Sequence, residues 1–102
     1  MTNEYGQELD SNGYAPSVFG YWEICQLCAR GLPLQRHEVF HGPYREKAKR
    51  YGAWMVLCRD CHEKVHRFPA EYKDLRAITR MEVMARYGWD ADKWREVFGK
   101  LE

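Results

Sequence analysis

No run of apolar residues in this chain approaches the roughly 20 that a membrane-spanning helix requires, which excludes a helical span. The opening stretch MTNEYGQELDSNGYAPS has no positively charged region followed by an apolar core, so no secretory signal is expected. The expected location is therefore the cytoplasm, where thiols stay reduced. No internal repeat and no low-complexity segment interrupts the sequence. Lys and Arg are absent from residues 1–29, where Glu4, Glu8, Asp10 and Glu23 leave a net charge of −4.

The positive charge sits further along. Residues 30–67 carry nine Lys and Arg against four acids, a net +5, and residues 68–102 hold seven of each sign. An overall charge of +1 thus hides a basic middle, the pattern expected of a surface that meets a polyanion. With 102 residues the chain is one domain near the lower limit of what a single core sustains. A bound metal is a natural supplement at that size.

The four cysteines fall as Cys25-x2-Cys28 and Cys58-x2-Cys61. Each pair can bite one ion, and four thiolates close a tetrahedral zinc shell. A closed shell leaves no position for water or substrate, so this site is read as structural. A redox CxxC needs only one pair and a βαβ setting, which the pattern does not offer.

Between and beyond the cysteines the punctuation is clear. Residues 1–20, with three Gly and one Pro, read as an irregular or flexible arm with Tyr14 or Phe19 available for packing. Tyr21 and Trp22 announce a single folded domain over 21–102. Cys25 to Gly31 reads as a tight thiolate-bearing turn, 34–40 as a strand, and 44–52 as a basic loop with a helical turn. AWMVLC (53–58) reads as a second strand and RDCHEKVHR (59–67) as a helix that Pro69 ends. Residues 70–87 form the clearest long helix, with Tyr72, Leu75, Ile78, Met81 or Glu82, and Ala85 at helical spacing and Gly88 at the C-cap. Asp90 caps a last helix through Phe98 that buries Trp94, Val97 and Phe98, and Trp54 also reads as core. The fold class is small α+β: a zinc-clipped ββα unit, then a helical extension over 70–98.

His62 and His66 stand four apart on the 59–67 helix, hence on one face, and such a pair binds a single divalent ion. The cysteine clip brings the strand bearing His37 beside them. Three imidazoles on a helix and a strand leave coordination positions open, as metal-assisted hydrolysis requires.

The stretch CQLC…QRHEVFHGPYREKAKRYGAWMVLCRDCHEKVH, roughly residues 22–67, resembles the HNH, or ββα-metal, endonucleases, and most of all small phage-borne members. The resemblance implies a DNA phosphodiester hydrolase, encoded by a phage or prophage and acting on duplex DNA inside a bacterial host. Carried over by position, His37, His62 and His66 become ligands of a catalytic divalent ion. That ion would be Mg²⁺ or Mn²⁺, with Ni²⁺ or Zn²⁺ as substitutes. Glu38 stands where the water-activating base does, so the implied catalytic residues are His37, Glu38 and His62, and the cysteines hold structural zinc. Arg45, Lys47, Lys49 and Arg50 would neutralise the flanking phosphates, favouring affinity over sequence choice.

Two positions depart from the family pattern. The base is usually histidine, whose pKa suits proton abstraction at neutral pH better than that of Glu38. The family's central asparagine is replaced by Ala53, and the chain has no Asn from 14 to 102. His41 is a further candidate base, and His37 could itself be the base, although Arg36 would then occupy a ligand position that arginine cannot fill. The departures also leave open a binding module without cleavage, holding DNA or a host protein, for instance as an inhibitor of a host defence nuclease. A zinc-ribbon-like interaction domain is a third reading. The helices over 70–98 either pack on the ββα unit or offer a homodimer seam.

Overall fold

Alternation along two short strands decides what each side of the molecule presents. The computed structural model describes residues 1–20 and 23–99, so the expected boundary at Tyr21 and Trp22 lies outside the described residues. Strand β1 (Leu34–Glu38) pairs antiparallel with β2 (Trp54–Cys58), in a register that sets Gln35 opposite Leu57, His37 opposite Met55 and Glu38 opposite Trp54. Opposed residues share a face of the sheet and neighbours in sequence do not. Gln35, His37, Met55 and Leu57 therefore face one way, and Arg36, Glu38, Trp54 and Val56 the other.

Helix α1 (Arg45–Tyr51) lies between the strands after a 3-10 turn over Gly42–Tyr44, α2 (Arg59–Arg67) follows β2 without a break, and α3 (Asp74–Tyr87) and α4 (Ala91–Phe98) complete the chain. The described residues thus form a small α+β fold of two antiparallel strands and four helices. None of these helices is long and apolar enough to cross a membrane. Residues 44–52, read from sequence as a loop with one helical turn, instead include a seven-residue helix. Gly52 ends it in the left-handed region at φ 75°, with its N–H on the carbonyls of Ala48 and Lys49. A Cβ there would also stand 2.1 Å from the Pro16 carbonyl oxygen, so only glycine fits.

The long helix begins four residues later than its periodicity suggests. Residues 69–73 form overlapping turns, such as Tyr72 N–H to Pro69 O at 3.3 Å and Leu75 N–H to Tyr72 O at 3.0 Å. Lys73, at the N-cap, makes no side-chain capping bond. The stripe that α3 buries also differs from the one its apolar residues trace. Thr79 and Val83 are inaccessible, whereas Ile78 and Met81 are 46% and 69% exposed. Thr79 can sit inside because its hydroxyl donates to the Leu75 carbonyl at 2.7 Å. Trp94 and Phe98 of α4 stack at 4.3 Å and close around Phe40, just past β1. Asp90 caps α4 by accepting from Lys93 N–H at 2.8 Å, and Gly88 ends α3 in the left-handed region.

The first twenty residues make no helix and only one isolated bridge, Thr2 with Glu8, yet they are stitched to the domain. Asn3, almost inaccessible, donates to the carbonyl of Arg50 and the side chain of Gln7, and accepts from the N–H groups of Tyr5 and Gln7. Tyr5 packs among Tyr51, Tyr87 and Trp89. Further on, Ala15 N–H donates to Lys49 O at 2.9 Å, while Trp54 Nε1 donates to Ala15 O at 2.8 Å. The arm thereby covers the sheet face opposite α2, leaving Trp54 half-buried beneath it.

Candidate functional site

The junction of β2 and α2 is where the first cluster forms. Cys58 is both the last strand residue and the N-cap of α2, and its sulfur accepts from Cys61 N–H at 3.5 Å. The turn at 25–30 folds over this junction: Cys25 N–H donates to Arg30 O at 2.7 Å, and Ala29, at φ 66°, donates to Cys25 O at 2.8 Å. It is tied to β2 by Gln26 N–H on Val56 O and by Val56 N–H on the Gln26 side chain. All four sulfurs consequently lie within 4.8 Å of one another, Cys28 and Cys58 at 3.6 Å. Four thiols this close cannot all ionise without a cation among them. Burial opposes ionisation of Cys25, but hydrogen bonds from Cys58, Cys28 and Leu27 outweigh it and hold the thiol at about 6. Burial and the neighbouring sulfurs push Cys61 up to about 12. The cluster could hold a single metal ion.

One turn further along α2 the second cluster begins. Val65 turns inward to the core, leaving His62 and His66 on the flank that meets β1. His37 projects from β1 into the same place, and the three imidazoles offer ligand atoms within 4.8 Å of one another. The ring of His37 is 5.2 Å from that of His62 and 5.4 Å from that of His66. Burial, reinforced by the nearby His62, His66 and His41, pulls His37 down to about 4, which keeps its ring neutral. Its Nδ1 is buried with no hydrogen-bond partner among the described residues. Burial and His66 likewise lower His62. The Nε2 atoms of His62 and His66 approach to 3.0 Å, and His62 Nδ1 meets Gln35 Oε1 at 2.7 Å. With Nδ1–H donated to Gln35, the Nε2 lone pair of His62 points at the cluster. His66 is exposed, so this site is open on one side.

Glu38 is next to His37 in sequence and across the sheet from it in space. Its carboxylate accepts from Arg45 Nε at 2.9 and 3.1 Å and from the Tyr14 hydroxyl. Burial raises its pKa, but Arg45 and Tyr14 prevail and hold it below the usual carboxylate value. Ala53 is buried; its N–H donates to Ala48 O at 2.8 Å and its carbonyl accepts weakly from Val39 N–H at 3.5 Å. Main-chain bonds thus hold the chain there.

Comparison with known proteins is blank. No family model, curated protein or solved structure matches the chain. The functional reading therefore rests on these residues alone.

The basic segment is employed inside the molecule. Arg45 holds Glu38, Lys47 Nζ donates to Val97 O at 2.6 Å, Lys49 lies beside the Tyr14 ring and Glu46, and Arg50 pairs with Glu4 at 3.1 Å. A different set faces the histidines. A cleft of about 440 Å³ opens from His37 and His66 past His41, Tyr44 and Tyr72 to Lys73 and Arg76. Sequence reading missed Gln35, Tyr72, Lys73 and Arg76. The position of Gln35 two before His37, on the same strand face, was the available signal for the first.

Proposed function

We propose that the protein is a metal-dependent endonuclease of the HNH, or ββα-metal, type that hydrolyses DNA phosphodiester bonds. The cysteine cluster holds structural zinc: bonds of roughly 2.3 Å to a tetrahedral ion imply sulfurs roughly 3.8 Å apart, close to the 3.6 Å between Cys28 and Cys58. The observation that carries the reading is the convergence of His37, His62 and His66 beside that clip, with the buried Nδ1 of His37 unsatisfied. A divalent ion on these imidazoles supplies charge stabilisation at the scissile phosphate and the leaving oxygen.

The protein's own groups complete the site. His37, buried and neutral, fixes one ligand direction from a rigid strand, while His62 and His66 fix two more from one helical face. His41 takes the role of base toward the attacking water in preference to Glu38. Its ring lies 6.1 Å from those of His37 and His66, whereas both oxygens of Glu38 are engaged across the sheet.

One observation favours a second reading, a binding module without cleavage: the residue in the base position is locked by Arg45 and Tyr14. Nicking of supercoiled plasmid by the zinc-loaded protein in Mg²⁺, Mn²⁺ or Ni²⁺, with His62→Ala alongside, separates the two. Metal-dependent nicking by wild type alone supports the nuclease; intact plasmid under every metal, with folding verified, supports the binding module.

A further inference from the structure

Among the described residues, the cleft beside the histidines is lined by cations and apolar groups, with no carboxylate. His41, His66, Lys73 and Arg76 supply the polar lining, and Tyr44 and Tyr72 supply partly exposed rings. Lys73 makes no ion pair and no side-chain hydrogen bond among the described residues, and Arg76 only overhangs the Phe40 ring at 5.7 Å. Both cations stand at the start of α3, Lys73 at its N-cap beside Asp74 in the first turn, and Arg76 one residue past Leu75. The occupant these features suit has negative charge at one end and a flat apolar body. Its anion must also lie close to the histidine cluster, since His37 and His66 line both.

We infer that the cleft seats one unpaired nucleotide next to the scissile phosphate, its base against Tyr44 or Tyr72 and its phosphate on Lys73 and Arg76. The inference rests on the nuclease reading for the position of that phosphate, and it names the substrate class: DNA with a single-stranded, frayed or bulged position. A volume of about 440 Å³ lies within the roughly 300–1,000 Å³ of pockets that enclose a small ligand. A nucleotide fits that space, and a base laid on Tyr44 or Tyr72 must leave its own stack, so a duplex must give up a base to fill it. Stacking on an aromatic ring is indifferent to base identity, which predicts tolerance of sequence.

The test uses zinc-loaded full chain in Ca²⁺, which replaces Mg²⁺ so that binding is read without hydrolysis. Fluorescence anisotropy compares a paired DNA duplex with the same duplex carrying one unpaired thymidine, at one salt concentration. The expected result is about tenfold tighter binding of the bulged duplex, a preference lost in Lys73→Ala/Arg76→Ala. Both substituted side chains are exposed, and circular dichroism checks the fold. Equal affinity of wild type for the two duplexes overturns the inference, as does a preference that survives in the double variant. The two readings fail separately: a bulge preference without plasmid nicking removes the nuclease and leaves the cleft, while nicking without the preference does the reverse.

Discussion

Helix α2 carries two metal-capable clusters one turn apart, and they differ in every respect that matters to function. Cys58 and Cys61, at its first turn, join Cys25 and Cys28, and only Cys28 of the four is exposed. His62 and His66, on the next turn, join the buried His37 but leave His66 in solvent at the mouth of a cleft. Thiolates from two separate segments close a shell and tie distant chain together. Imidazoles that leave one side free hold an ion where a substrate can reach it. On the proposed function, the first cluster orders the helix and the second uses the order.

The largest expected effect breaks the comparison at its base. Removing the metal with a strong chelator, or replacing Cys58 by Ser, is expected to unfold the domain. The free energy tied to a structural zinc, on the order of 10 kcal/mol, matches the whole stability of a chain this size. Far-UV circular dichroism reads the outcome, and an unchanged spectrum after verified metal loss would refute a structural role. By contrast, His62→Ala is expected to leave the spectrum and the tightly held metal intact. It should weaken binding of a second divalent ion by about a hundredfold or more, measured by titration of the zinc-loaded protein with Co²⁺. Loss of fold in His62→Ala would mean that the clusters do not divide structure from chemistry in this way.

Both clusters were legible in the sequence because their spacing is local. Two cysteines with two residues between them, and two histidines four apart on a helix, declare a shared target without tertiary information. The helix over Arg59–Arg67 was legible for the same reason. What lay hidden depended on distant partners. Arg45, Lys47 and Arg50, expected to meet phosphates, also contact Glu38, the Val97 carbonyl and Glu4 within the chain. Two of those contacts span 46 or more positions. The buried stripe of α3 was misread because Thr79 counts as polar until its bond to the Leu75 carbonyl is seen. The packing of the arm depends on Asn3, whose four side-chain hydrogen bonds leave no mark in composition.

A smaller effect tests how the histidine site is oriented. Gln35 Oε1 lies 2.7 Å from His62 Nδ1, and a proton donated there leaves Nε2 unprotonated, as the proposed ion requires. Gln35→Ala is expected to cost about tenfold in affinity for the second ion while sparing the tightly held one, and Gln35→Glu, which keeps the acceptor, to restore it. Equal affinities in wild type and Gln35→Ala would show that the tautomer is set by some other group.

The smallest effect lies on the far side of β1, where Glu38 is His37's neighbour in sequence but faces the arm. Its folded pKa is below the ordinary 4.5, so the carboxylate adds stability that is present above that value and is lost as pH falls through the lowered one. Arg45 is half exposed and solvent screens the pair, so the contribution is at most about 1 kcal/mol. Melting midpoints of wild type and Glu38→Gln should accordingly differ slightly at pH 7 and converge as the pH falls through that lowered value. Should plasmid nicking survive in Glu38→Gln, the carboxylate is a brace for Arg45 and Tyr14, and the base lies on the histidine side of the strand. Should nicking fail while the melting midpoint at pH 7 barely moves, the base is Glu38, and Arg45 must release it when DNA binds.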